Sequence, residues 1–169
     1  MAHTLRLNPQ YFSGPIPTLK KVTPIASRTW QAGAFMKSTD SGWVPCISAD
    51  IVVHGIAAAS QPTASAVATK VWVHRINTSA TKLLIGCTTG GNDDIINPAY
   101  VGGNYGIAVN SCVYSVSFGC DTSASEVLHV EGRLCDIQNG LRGVDSSDSP
   151  GFAIVSVKQA MLDGEATGV

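Results

Sequence analysis

Thr69-Lys70-Val71-Trp72-Val73-His74-Arg75-Ile76, then Asn77-Thr78-Ser79-Ala80, then Lys82-Leu83-Leu84-Ile85-Gly86-Cys87 is the stretch that decides the fold. In the first run Val71 and Val73 fall on one face, and Trp72, His74 and Ile76 on the other. That period of two belongs to a strand. A helical start over 67–73 is disfavoured by its β-branched residues, which lose rotamer freedom in a helix and pack well on a pleated sheet. The polar tetrapeptide 77–80 has turn composition, so the two runs are expected to pair as a hairpin.

The same texture extends in both directions. Ala34–Lys37 runs into the turn cluster Ser38-Thr39-Asp40-Ser41-Gly42, and Trp43–Ile47 is its expected partner. Pro45 lacks an N–H and confines that partner to a sheet edge. Ile51–Ala59 is a further apolar run, closed by Gln61-Pro62-Thr63. Downstream, Ile107–Phe118 is read as one strand with Cys112, Tyr114, Val116 and Phe118 on a common face. Glu126–Ile137 is a long strand bent or bulged at Gly132. In Phe152–Lys158, Ala153, Val155 and Val157 share a face. Thr88–Tyr105, with Gly90-Gly91-Asn92, Asn97-Pro98 and Gly102-Gly103-Asn104, is expected to be a long surface loop. About eight short strands between turns predict an all-β fold, a single antiparallel β-barrel or β-sandwich spanning 30–169. No internal repeat is legible.

Residues 1–29 differ. Pro9, Pro15, Pro17 and Pro24 keep the segment out of helices and central strands. Leu5, Leu7, Tyr11, Phe12, Ile16, Leu19, Val22 and Ile25 are nevertheless too apolar for a solvated linker. The segment is expected to be an extended N-terminal arm lying along a surface, its own domain's or a neighbour's, and the second is the expectation taken forward. Charge supports contact with something acidic. Residues 1–37 contain five Lys and Arg and no acid, whereas residues 38–169 contain six Lys and Arg against twelve Asp and Glu. Leu5, Arg6, Leu7, Tyr11, Phe12, Lys20, Lys21 and Arg28 are the candidate partner-binding residues. Their cations are too sparse for a nucleic-acid arm, so an acidic protein surface is the expected partner.

Composition narrows the class. The chain has 169 residues, enough for a core without metal or disulfide staples. Only 14% of its residues are charged, which suits a neutral polar β surface and also a protein much buried against neighbours. Five scattered cysteines, no CxxC pair and no secretory pattern point to a reducing compartment and to free thiols. No apolar run is long enough for a spanning helix.

The residues of catalysis are not arranged for it. His3, His54, His74 and His129 lie on separate segments without metal-ligand spacing, and no Gly-x-Ser-x-Gly elbow occurs. Gly102-Gly103-Asn104-Tyr105-Gly106 lacks the lysine and helix of a phosphate loop. Asp93-Asp94 lacks the alternate acidic ligands of a Ca²⁺ loop and reads as a loop tip. Asp145–Gly151 has a spacing slightly better suited to a cation, but its Ser, Asp, Pro and Gly are also what a turn before a final strand requires. No cofactor is expected, and the chain is read as not an enzyme.

Ala32-Gly33-Ala34-Phe35-Met36, the Ser41-Gly42 turn and His54-Gly55-Ile56-Ala57 resemble the strand–turn–strand opening of the head decoration (cement) proteins of tailed bacteriophages. Tyr105-Gly106-Ile107-Ala108-Val109 and the closing Val144-Asp145 to Val157 resemble virion proteins of the same kind. The resemblance implies a non-enzymatic structural protein on the outer surface of the capsid, assembled in the host cytoplasm. It implies as partners the major capsid protein and neighbouring copies of the chain, with a trimer as the expected oligomer. Three rivals remain: a jelly-roll capsid subunit with a genome-facing arm, a carbohydrate- or receptor-binding module using the 88–105 loop and a tryptophan, and a small hydrolase.

Overall fold

A computed structural model describes residues 8–25, 27–48, 50–61, 70–89, 92–93, 96–110, 112–119, 126–137, 151–158 and 162. In chain order they form β1 (Gln10–Ser13), β2 (Thr18–Val22), β3 (Phe35–Thr39), β4 (Gly42–Pro45), β5 (Gly55–Ala57), β6 (Val71–Arg75) and β7 (Lys82–Thr89). β8 (Asn92–Asp93), β9 (Asn104–Asn110), β10 (Val113–Ser117), β11 (Leu128–Arg133) and β12 (Phe152–Val157) follow. A 3₁₀ turn at Pro98–Tyr100 and one α-helical turn, α1 (Leu134–Ile137), are the described helical elements. The chain is all-β, as its alternation requires.

The strands form two rings. In the second half of the chain the order is β7-β10-β9-β11-β12, and β12 pairs back onto β7 to close a five-stranded barrel. In the first half the order is β2-β6-β5-β3-β4. There Pro24, just beyond β2, bridges Trp43 of β4 in parallel, with Trp43 N–H on Thr23 O and Ile25 N–H on Trp43 O, both at 2.9 Å. This bridge draws the first sheet round on itself as well.

The two rings have one topology. In each, the first strand is parallel to the third and antiparallel to the fifth, and the second pairs with the third and the fourth. The registers agree too. Both second-to-third hairpins turn over two residues, between Thr39 and Gly42 and between Asn110 and Val113. Superposing those hairpins places Trp43 on Tyr114. The parallel pairing then places Pro24 on Ile85, and the remaining ladders place Ala57 on Leu128 and Val73 on Val157. Inward positions match in burial: Val22, Met36, Trp43, Ala57 and Val73 correspond to Leu83, Ile107, Tyr114, Leu128 and Val157, all 3% exposed or less. The chain is thus a tandem pair of one five-stranded unit, a repeat the sequence reading did not find. Lys21/Lys82 and Val73/Val157 are among the few identical pairs, because a barrel interior asks for apolar volume and not for particular residues.

Several expectations are corrected. β6 and β7 are strands, but they do not pair: Asn77–Thr81 carries the chain from one unit to the other. Each strand finds its partners inside its own ring, since the matching apolar faces lie there. Ile107–Phe118 is a hairpin, not one strand. Cys112 sits at its turn with φ 65°, exposed, instead of sharing the buried face of Tyr114 and Val116. The segment 126–137 does bulge between Val130 and Gly132, and its last four residues are helical. The 88–105 stretch is less a loop than expected, holding the end of β7, β8, the 3₁₀ turn and the start of β9. Pro45 ends β4, which has a full ladder only on its β3 side, as a residue without an N–H requires.

The arm expectation changes most. Residues 8–25 are extended, but β1 pairs with β7 of the second unit and β2 is a ring member of the first. The described part of the segment lies across its own body. Asn8 fastens it there, its Nδ2 donating to Ala32 O and its Oδ1 accepting from Tyr114 N, both at 2.9 Å. Pairing in cis satisfies the backbone groups that four prolines leave, and it buries Val22 completely. One continuous core joins the units, with Phe35 of the first meeting Tyr114 of the second edge-on at 5.7 Å.

Candidate interaction surface

Alternation decides which side chains of the first unit face outward. In β2 and β6, Lys20, Val22, Val71 and Val73 turn inward, so the cross-strand pairs Leu19/His74 and Lys21/Trp72 stand outside. Leu19 is 50% and Trp72 48% exposed. The Lys21 ammonium lies 5.8 Å from the Trp72 ring centroid, a cation–π arrangement. Beside this face a groove of about 440 Å³ runs between β1 and the β5–β6 pair, lined by Asn8, Tyr11, Ile16, Ile56, Ala58 and His74 among others. Tyr11 and Ile16, on its rim, are exposed, so the groove and the β2–β6 face make one apolar surface.

Of the candidate partner-binding residues, Leu5, Arg6 and Leu7 lie outside the described residues. Tyr11 and Lys21 belong to this surface. The Tyr11 hydroxyl donates to Gly14 O at 2.6 Å, which fixes its ring at the rim. Phe12 points the other way along β1 and is half-buried. Lys20 faces into the first ring, with its ammonium 5.9 Å from the Trp43 ring, so it does not join Lys21. Arg28 is exposed on a separate turn. Ile16 and Leu19, apolar arm residues outside that candidate set, also stand on this surface, with Trp72 and His74, which the alternation in 71–76 already set opposite the valines.

Among the described residues the groups capable of chemistry are dispersed. The buried His54 Nδ1 accepts from Ser38 N–H at 2.9 Å, which orients the ring against Trp43. His129 Nδ1 meets Asn104 Oδ1 at 2.9 Å on the second unit, and His74 lines the groove. Burial, reinforced by the charge of Asp50, pushes the Cys46 thiol well above the usual thiol range, which suits a packing residue and not a nucleophile. Trp30 and Trp43 are core residues at 4% and 0% exposure. Among the described residues no three His, Cys, Asp or Glu side chains converge as metal ligands. His3 and most of the Asp145–Gly151 turn lie outside the described residues, as do the side chains of Asp93 and Asp94. No described helix is long and apolar enough to cross a membrane.

No protein-family model, curated protein or solved structure matches the chain.

Proposed function

We propose that the protein is a non-enzymatic capsid decoration protein, which binds the outer surface of an assembled phage head and stabilises it across capsomer boundaries. The observation that carries this reading is the exposed apolar and cationic surface of β1, β2 and β6 on the two-ring body. Such a patch is what a docking protein presents. The short motifs that resemble head decoration proteins support the same role. A protein of this kind binds assembled and not free capsid subunits, so it stabilises the shell by mass action. The test is co-sedimentation with undecorated capsids, followed by thermal disruption of the particles. Saturable binding and a higher disruption temperature are expected; no binding to any undecorated shell sinks the reading.

A second reading draws on a specific observation. Trp72 and Tyr11 expose aromatic rings beside a groove, as a carbohydrate-binding module does. A glycan-array screen with purified protein separates the two, since a decoration protein gives no saturable glycan signal.

A further inference from the structure

The groove beside β1 is bordered by the open edge of a strand. β1 stands at the end of its sheet and, among the described residues, pairs with β7 alone. Along an antiparallel strand the backbone groups point alternately to one side and the other. Cys87 N–H donates to Gly151 O at 3.1 Å, so Cys87, Ile85 and Leu83 turn their backbone groups toward β12. Leu83 is the residue opposite Tyr11. The Tyr11 N–H and C=O therefore point away from β7, and among the described residues no group takes either. Side chains of a strand alternate between its faces, yet the consecutive residues Asn8, Pro9, Gln10 and Tyr11 all line the groove. It is the edge of β1, and not one face, that the groove meets.

An open backbone pair beside an apolar cleft fits one kind of ligand. The facing wall is Ile56, Ala57 and Ala58, Ile16 is 79% exposed at the rim, and about 440 Å³ is the size of a ligand cleft. Two of the polar side chains lining it are already engaged, Asn8 by Ala32 O and Tyr114 N–H, and Tyr11 by Gly14 O. We infer that the groove is a strand-binding site. It takes an extended peptide segment, which pairs through one residue with the N–H and C=O of Tyr11 and lays alternate apolar side chains against Ile16 and Ile56. The bulge between Tyr11 and Ser13, and the missing N–H of Pro9, limit the added strand to that one pair. Residues 8–39 and 51–92 contain no Asp or Glu, and the Lys21/Trp72 pair stands next to Leu19/His74 on the same face. Charge complementarity therefore asks for an apolar segment flanked by an acid and not by a base. The inference deepens the proposed docking role and rests on it for the source of the segment, an extended stretch of the shell protein.

The test uses the free, full chain, so its failure leaves the capsid reading to co-sedimentation, and failure there leaves peptide binding standing. The probe is a display library of random linear peptides selected on the immobilised protein. Selected peptides are then synthesised with a fluorescent label and titrated by anisotropy. Enriched sequences should alternate apolar residues and carry Asp or Glu in preference to Lys or Arg. N-methylation of one peptide residue should weaken binding about tenfold, and of either neighbour little, as loss of a hydrogen bond at a single pair does. Tyr11→Pro removes the edge N–H and should bind more weakly than Tyr11→Ala, which removes the ring alone. Ala58→Trp fills the cleft from its other wall, leaves β1 untouched and should abolish binding. No enrichment over the Ala58→Trp protein overturns the inference, as does binding indifferent to where the N-methyl group falls. So does binding that appears only when residues 2–7 are deleted, which assigns the groove to the chain's own first residues, or binding lost as the protein dimerises, which assigns it to a second copy.

Discussion

The hydroxyl of Tyr114 donates to Cys46 O at 2.7 Å while its ring meets Phe35, so one side chain ties the end of the second ring to the first. Tyr114→Phe keeps the ring contact and leaves a buried carbonyl unpaired. We expect a loss of about 1–3 kcal/mol, measured by denaturant unfolding, with the midpoint moved and the slope unchanged. Gly55 is constrained by space: a Cβ there would come 2.5 Å from Val73 Cγ1 and 2.8 Å from His74 O. Gly55→Ala therefore overpacks the β5–β6 ladder, and a cost of about 1–3 kcal/mol is expected. The cysteines sort by position. Cys112 is exposed at its hairpin turn, whereas Cys46 and Cys87 are buried. In native protein, Ellman's reagent should modify Cys112 rapidly, and Cys46 and Cys87 only as fast as the fold opens. Equal rates at all three would contradict the packing. The sequence showed that these thiols had no obvious partners, but not which was accessible. That depends on a two-residue turn within an apparently continuous apolar alternation.

At the scale of strands, the seam that closes the second ring carries the clearest pH signature. Burial alone would raise the Glu131 carboxyl. Hydrogen bonds from Lys82 and Ser156, with the charges of Lys82 and His129, together hold it below the usual carboxylate range. A carboxyl depressed in the folded state contributes stability above its unfolded pKa and loses it as pH falls through the folded value. Glu131→Gln should therefore flatten the acid limb of the curve of melting temperature against pH and lower stability at neutral pH. Identical acid limbs would show the pair to be idle. The N-terminal segment gives the sharper test. An independent arm could be removed without harm, but β2 supplies Val22 and the closing bridge at Pro24. Deleting residues 2–27 should abolish cooperative unfolding, and a folded product would mean that the first ring does not need its first strand. Individual strands were legible because period-two alternation is local. Their pairing was not: the polar link at 77–80 has hairpin chemistry, and only the competing partners, β2 and β5 for β6 and β12 for β7, show why no hairpin forms.

For the molecule as a whole, all-β character could be read from composition and spacing. The duplication could not, because equivalent interior sites hold different apolar residues, such as Met36 and Ile107 or Ala57 and Leu128. The surface was half legible: a basic stretch was visible and its own body was one of the two surfaces it could lie along, but the pairing of β1 with β7 and of β2 with β6 could not be read. The duplication also fixes an order of events during synthesis. All strands of the first ring are contained in residues 18–75, so that ring can close while the rest of the chain is still being translated. β1 is made before any of them, yet its ladder partner Leu84 emerges only after the first ring is complete. A nascent chain is therefore expected to pass through a stage in which one barrel is formed and β1 waits for a partner not yet made. Two pulling events on the ribosome, the first soon after Arg75 clears the exit tunnel and the second after Val157, are the expected record of that stage.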